Sequence, residues 1–91
     1  MCEPVHFRID YETNLWMRRA NQVRNPAALA QWRGLRRALE ELGVRVELVE
    51  QAPDVSDMIF TANAGGISGD RFIPANFRFP ERQLEVAHFL R

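Results

Sequence analysis

The chain has 91 residues, of which 46% are hydrophobic and 26% charged, so it can form one small domain with a modest core. Its twelve basic residues are all arginines balanced by twelve acids, which excludes lysine-dependent chemistry and gives no basic surface for nucleic acid. Cys2 is the lone cysteine, and no apolar run reaches about 18 residues, so we expect neither a disulfide within the chain nor a signal peptide. We therefore expect a cytoplasmic chain without a membrane segment.

The first half of the chain predicts a strand, an aromatic connection and a helix. Apolar and polar residues alternate over Val5–Ile9, which is typical of a strand. A helix is predicted from Pro26 to Leu42, with Asn25 as its N-cap and Gly43 as its stop. Its apolar stripe should cover a sheet and consists of Leu29, Trp32, Leu35, Leu39 and Leu42. Gly34, inside this helix, indicates the close approach of another element.

The second half predicts three strands and a final helix. Val44–Val49 alternates as a half-buried strand, and Met58–Thr61 reads as a short apolar strand that ends before Gly65-Gly66. Ile67–Ile73 is predicted to form a hairpin around Ser68-Gly69-Asp70, and Arg82–Leu90 to form a helix opened by Pro80. The order strand, helix, strand, strand, strand, helix predicts an α/β fold in one unit over residues 1–91.

Asp57 and Asn63 are the first candidate site residues. They lie six residues apart, so a regular strand would place both side chains on one face and Phe60 on the other. A carboxylate and an amide on one face can accept hydrogen bonds from an ammonium or guanidinium group. The alternative is that both are turn residues bonded to their own backbone.

Arg82 and Asn14 are the other candidates, and each has a structural alternative. Arg82 could bind a substrate carboxylate through a bidentate fork, or it could pair locally with Glu85 three residues on. Asn14 lies in the Tyr11–Met17 connection, where it could contact a ligand or form a turn.

Other kinds of chemistry find no support in the residue pattern. His6 and His88 lack partners at metal-ligand spacing, so no metal site is expected. No Ser/His/Asp or Cys/His set is assembled, and Gly65-Gly66 lacks the lysine and further glycines of a phosphate loop. Cys2, close to the N-terminus, is expected to be a spectator.

Taken together, these segments resemble the N-terminal part of the guanidino-group-modifying enzyme (pentein) superfamily. The most similar branch includes the amidinotransferases, the dimethylarginine dimethylaminohydrolases and the arginine dihydrolases. The matching features run over nearly the whole chain: Cys2-Glu3-Pro4, His6-Phe7, Tyr11, Asn14-Leu15-Trp16-Met17, Gln31-Trp32, Leu35, Leu39, Gly43, Asp57–Gly65, Glu81-Arg82-Gln83 and Glu85.

The resemblance implies a fold and a set of roles. Such proteins form an α/β propeller of five ββαβ repeats, of which this chain would supply about one to one and a half. Asn14 and Asn63 would contact the guanidine or amino-acid head of the substrate, Asp57 a cationic nitrogen, and Arg82 the α-carboxylate. Many relatives have aspartate at the position of Asn63, and the amide is similar to the arginine dihydrolase branch. Leu15 and Leu84 also depart from the common proline and glycine.

The resemblance also implies a reaction. A cysteine attacks the guanidinium carbon with the help of a histidine, and the resulting amidino intermediate passes to water or to an amine. Neither Cys2, His6 nor His88 matches these groups, so no catalytic residue is expected within the chain. The expected function is a substrate-binding fragment of a hydrolase acting on arginine or methylated arginine, without a cofactor. The alternatives are an amidinotransferase and a non-catalytic binding or assembly module, for which open sheet edges offer a route to a homo-oligomer.

Overall fold

The computed structural model describes residues 1–91, and its best-formed element is the helix α1 over Asn25–Glu41. The predicted stop at Gly43 is confirmed. The N–H of Gly43 donates to the carbonyl of Glu40 at 2.9 Å, and the N–H of Val44 donates to that of Leu39 at 3.0 Å. This is a Schellman ending, and it requires the positive φ of 82° that Gly43 adopts.

The start of α1 differs from the prediction. Arg24 occupies the N-cap position without a side-chain hydrogen bond, and Asn25 is already inside the helix. Pro26 in the first turn fixes φ where no N–H is needed, so the helix begins without a side-chain cap.

The apolar stripe of α1 is not covered by a sheet. No residue of the helix is buried, and Leu35 and Leu42 are 56% and 80% exposed. No atom comes within 4 Å of the position that a Cβ on Gly34 would occupy, so the predicted close approach does not occur. The Cα radius of gyration of 14.0 Å also exceeds the about 12 Å typical of a compact domain of this length.

Two glycines of this region predict opposite effects of the same substitution. Gly34→Ala should stabilise the chain by about 0.5–1 kcal/mol, because alanine is the better helix former and space is free for the methyl group. Gly43→Ala should destabilise it by about 1–2 kcal/mol, because an L-residue is strained at a φ of 82°. Urea unfolding, monitored by the helical circular dichroism signal, measures the free energy of unfolding of both variants. Changes of that free energy in the same direction would contradict this assignment of the helix and its end.

The predicted hairpin is confirmed. Strands β1 (Gly65–Ser68) and β2 (Arg71–Pro74) pair antiparallel, from Gly65 opposite Pro74 to Ser68 opposite Arg71. The two-residue loop begins with Gly69 at a φ of 62°, as a tight hairpin turn requires. These strands form the two-stranded sheet of the structure, and both are exposed along their length.

The predicted strands Val5–Ile9 and Val44–Val49 do not form a ladder. One parallel bridge joins Cys2 to Val49, and the N–H of Val49 donates to the carbonyl of Met1 at 2.9 Å. After Cys2, side-chain oxygens accept backbone N–H groups that would otherwise pair with a neighbouring strand. Gln51 Oε1 accepts the N–H of His6 at 2.7 Å, and Gln22 Oε1 accepts that of Ile9 at 3.4 Å.

The predicted strand Met58–Thr61 is wrong. Residues Ser56–Ile59 and Thr61–Asn63 form two consecutive 3₁₀ turns. Their N–H groups donate to carbonyls three residues earlier, including Phe60 to Asp57 at 3.0 Å and Asn63 to Phe60 at 2.9 Å. A short apolar run is compatible with either helical or extended backbone, and here local bonds satisfy the donors without a partner strand.

The predicted final helix is present with one interruption. Helix α2 covers Pro80–Gln83 and α3 covers Glu85–Phe89, with Leu84 between them in a helical conformation. The phenyl ring of Phe89 packs against a small core formed by Cys2, Val55 and Met58, beneath the first 3₁₀ turn. None of the helices has the length and apolar composition required to cross a membrane.

Candidate functional site

The four candidate residues of the sequence line one cavity, which we call the Asp57 cavity. Its volume is about 350 Å³, and its wall consists of Phe7, Ile9, Thr13, Asn14, Met17, Asp57, Phe60, Asn63 and Arg82. The connection after the first segment supplies one wall, the 3₁₀ turns a second, and α2 a third. The four candidate residues thus line one space together with Thr13 and four apolar residues, although they lie up to 68 positions apart in the sequence.

The 3₁₀ turns explain why Asp57 and Asn63 meet in this cavity. A strand would bring them to one face through its two-residue period, but no strand forms here. A 3₁₀ helix has three residues per turn, so residues spaced by three or six share a face. Phe60, predicted to point away from the site, therefore lies between Asp57 and Asn63 on the same wall. Its ring packs edge-on against Phe7 with centroids 5.7 Å apart.

Arg82 forms a two-point ion pair with Glu85. Its Nε donates to Glu85 Oε1 at 2.8 Å, and its Nη2 donates to Glu85 Oε2 at 3.0 Å. The two side chains are 14% and 1% exposed, so the pair is shielded from water. The local alternative for Arg82 is therefore present in the structure, and the fork that a substrate carboxylate was expected to use is filled by Glu85.

The remaining guanidinium donors of Arg82 face the cavity. Nη1 donates to Asn63 Oδ1 at 3.2 Å, and Nη2 reaches the backbone carbonyl of Asp57 at 3.5 Å. Since a guanidinium carries five N–H groups, one N–H on Nη1 is left for a ligand. The group also lies over the ring of Phe77, with Cζ 4.3 Å from the centroid.

The electrostatics of the cluster favour a permanently charged Arg82. Burial acts to lower the pKa of Arg82, but the hydrogen bonds and charge of Glu85, with the charge of Asp57, outweigh it and raise that pKa. Two carboxylates, Asp57 and Glu85, surround this one cation. The site therefore retains a net negative charge that can attract a cationic ligand.

Asn14 has the turn geometry that was its structural alternative. Its Oδ1 accepts the backbone N–H groups of Trp16 at 2.9 Å and Met17 at 3.1 Å. The residue nevertheless lines the cavity. Because the oxygen is occupied, the Nδ2 group is the part of Asn14 that can serve a ligand, and it can only donate.

Two residues near the site were not identified as site residues from the sequence. Burial, then the neighbouring Asp57 carboxylate, raise the pKa of the Tyr11 phenol. Phe77 lies under the Arg82 guanidinium. No spacing signal links either residue to Asp57 or Arg82, because their proximity depends on how the loops fold.

The residues excluded from the site can also be located. Cys2 is 1% exposed, and burial raises its pKa to about 11, so it lacks the thiolate character of a nucleophile at neutral pH. No three His, Cys, Asp or Glu side chains are grouped to hold a metal ion. A larger cleft of about 550 Å³ beside the C-terminal end contains none of the four candidate residues.

Comparison with known proteins gives a consistent group of relatives, although no protein-family model matches the chain. The bifunctional arginine dihydrolase/ornithine cyclodeaminase ArgZ of Synechocystis sp. strain PCC 6803 is 37% identical over 90 residues, 98% of this chain and 13% of the relative. The N(G),N(G)-dimethylarginine dimethylaminohydrolase of Mycobacterium tuberculosis is 40% identical over 85 residues, 93% of this chain and 28% of the relative.

A solved structure supports the same grouping. The N-terminal domain of ArgZ bound to its substrate superimposes with a TM-score of 0.89 at 35% identity, over 99% of this chain and 33% of that chain. The fold therefore matches part of an α/β domain whose compared relatives include an arginine dihydrolase and a dimethylarginine dimethylaminohydrolase. The chain belongs to the guanidino-group-modifying enzyme (pentein) superfamily and corresponds to the N-terminal part of its relatives, as the sequence resemblance predicted. It spans a third or less of the length of each of the three relatives compared.

Proposed function

We propose that the chain is a substrate-binding segment of a hydrolase that acts on the guanidino C–N bond of arginine or a methylated arginine. The observation that carries this proposal is the convergence of Asn14, Asp57, Asn63 and Arg82 on one cavity of about 350 Å³. That volume lies in the range of small-molecule sites, about 300–1,000 Å³. The relatives that support it are an arginine dihydrolase and a dimethylarginine dimethylaminohydrolase.

The hydrogen-bond pattern gives each side chain a role. The oxygens of Asn14 and Asn63 accept protein hydrogen bonds, so their amide N–H groups remain as donors. With the free Nη1 N–H of Arg82 they form a set of donors suited to the oxygens of an α-carboxylate. The Asp57 carboxylate supplies the complementary acceptor for a cationic nitrogen. The cavity thus matches a zwitterionic ligand with an anionic end and a cationic end.

The chemistry itself is assigned to groups outside these 91 residues. A cysteine nucleophile would attack the guanidinium carbon and displace ammonia or a methylamine, which leaves with a proton from a histidine. Water would then attack the resulting amidino–cysteine intermediate and release the free thiol, with no cofactor. In this arrangement the chain binds and orients the substrate, as about one to one and a half of five propeller repeats. An amidinotransferase would use the same binding groups and differ in passing the amidino group to an amine.

A ligand series tests the binding role. We expect calorimetric titration of the chain to show saturable binding of L-arginine. Agmatine, which lacks the α-carboxylate, and 5-guanidinopentanoate, which lacks the α-ammonium, should bind at least about tenfold more weakly, because each loses a charge-assisted interaction. Equal affinities for the three compounds, or no binding of any, would contradict the proposal. Incubation of the chain with arginine should release neither citrulline nor ammonia.

One observation favours a second candidate, the binding or assembly module. Large apolar side chains are exposed outside the cavity, including Trp16 at 87%, Leu42 at 80% and Ile67 at 81%. Such surface is usual at protein contacts. Sedimentation velocity over a range of concentrations tests this function, since a pure assembly module would self-associate. In the calorimetric titration, such a module would show no difference in affinity between arginine and agmatine.

A further inference from the structure

Glu85 is a fully buried carboxylate that has no direct role in the proposed binding of the substrate. Its side chain is 1% exposed, and both of its oxygens accept hydrogen bonds from Arg82. The pair Arg36–Glu40 on α1 offers a contrast. There one carboxylate oxygen meets Nε at 2.9 Å, and the two side chains are 37% and 45% exposed. Burial and two-point geometry therefore set the Arg82 pair apart from an ordinary surface ion pair.

Two-point contact fixes the plane of the guanidinium. A single hydrogen bond would leave the group free to rotate about that bond, whereas bonds from Nε and Nη2 to one planar carboxylate hold its direction. Phe77 supports one face of the group, with Cζ 4.3 Å from the ring centroid. Nη1 is the nitrogen that remains, and it is directed at Asn63 and the Asp57 cavity.

We propose that Glu85 is a positioning residue for amino-acid binding: it occupies the fork of Arg82 so that Nη1 alone is presented to the carboxylate of the ligand. This inference rests on the proposed function. A ligand carboxylate then meets Arg82 through one N–H, and the Asn63 amide, itself held by Nη1, provides a neighbouring donor. Selectivity for a carboxylate depends on the direction of Nη1 and not on the positive charge of Arg82 alone.

Replacing Glu85 should therefore change ligand selectivity. In Glu85→Gln the amide keeps one acceptor, but its NH₂ group faces a guanidinium N–H, so the two-point contact cannot be retained. The Arg82 side chain is then free to leave Asn63. We expect the ratio of arginine affinity to agmatine affinity to fall about tenfold, with agmatine affinity unchanged, since agmatine has no carboxylate to lose. The matched control Glu40→Gln, at the exposed Arg36 pair, should leave the ratio unaltered.

A spectroscopic readout tests the positioning without any ligand. In the unmodified chain, the ¹⁵N-labelled Arg82 side chain should give a resolved Nε–H resonance protected from solvent exchange. This protection should be lost in Glu85→Gln and kept in Glu40→Gln. Arg82→Lys provides a second variant that leaves Glu85 paired with a cation. A lysine cannot present two fixed donors, so it too should lose the preference for arginine over agmatine.

The outcomes separate this inference from the proposed function. If the unmodified chain does not bind arginine more tightly than agmatine, the proposed binding role is wrong. The positioning role is tested separately: it is overturned if the Arg82 Nε–H stays protected from solvent exchange in Glu85→Gln. If the chain prefers arginine and Glu85→Gln or Arg82→Lys keeps that preference, the positioning inference is overturned. An equal loss of arginine and agmatine affinity would indicate a purely structural role and would also overturn it.

Discussion

Arg82→Ala is expected to destabilise the chain by about 3–5 kcal/mol, because it leaves the buried Glu85 carboxylate without its charge partner. The pair is shielded, with side-chain exposures of 14% and 1%, and removal of the arginine also strips two hydrogen bonds from Glu85. The free energy of unfolding, measured in urea by circular dichroism, should show the loss. A native population too small to measure at 25 °C would agree with it.

Three comparisons make this prediction specific. Arg78→Ala removes an exposed arginine that lies over Phe79, and we expect a change within about 0.5 kcal/mol. Arg36→Ala breaks an exposed pair and should cost at most about 1 kcal/mol. The double variant Arg82→Ala/Glu85→Gln should recover part of the loss, since no buried charge is left unpaired. A cost for Arg82→Ala no larger than that of Arg36→Ala would contradict the buried-pair account.

Met58→Ala is the second substitution expected to have a large effect, about 2–5 kcal/mol of destabilisation. Met58 is 0% exposed and packs with Cys2 and Val55 in a core that contains few fully buried residues. A chain of this length has a total stability of about 5 kcal/mol at the lower end of the usual range. Truncation at this position should therefore unfold a large fraction of the molecules, as thermal melts would detect.

Leu35→Ala is the matched control for Met58→Ala. Leu35 is also a large apolar residue, but it lies on α1 and is 56% exposed. Because most of its surface already meets solvent, its truncation should change the stability by less than about 1 kcal/mol. If Leu35→Ala costs as much as Met58→Ala, the core lies along the helix stripe and not beneath the first 3₁₀ turn.

The elements predicted well from the sequence are those that local interactions determine. Helix α1 ends where a glycine supplies a positive φ, and the β1–β2 hairpin turns at another glycine. The strands Val5–Ile9 and Val44–Val49 did not form as ladders, because a strand exists through its partner. The N–H groups of His6 and Ile9 donate to side chains, and those of Val44 and Val49 donate to the backbone carbonyls of Leu39 and Met1. The run Met58–Thr61 carries no periodicity that separates a strand from a 3₁₀ turn.

The four residues selected from the sequence line one cavity, but through a different geometry from the predicted one. An interval of six residues places Asp57 and Asn63 on one face with either a two-residue or a three-residue period, so the two residues share a wall although the predicted strand is wrong. Phe60 lies three residues from each of them. It would therefore face away from them in a strand, but it shares their face in 3₁₀ turns. In the structure Glu85, and not a ligand, occupies the fork of Arg82. This outcome depends on the burial of the pair, which local spacing does not reveal.

The central claim, that the four side chains jointly hold one amino acid, is tested most directly by the chemical-shift map of the L-arginine titration on ¹⁵N-labelled chain. We predict saturable shifts of the Asn14 and Asn63 side-chain amides, the Arg82 guanidinium and the Asp57 backbone amide, all with a single dissociation constant. Shifts confined to the cleft beside the C-terminal end, or different dissociation constants for these four residues, would show that they do not form one binding site.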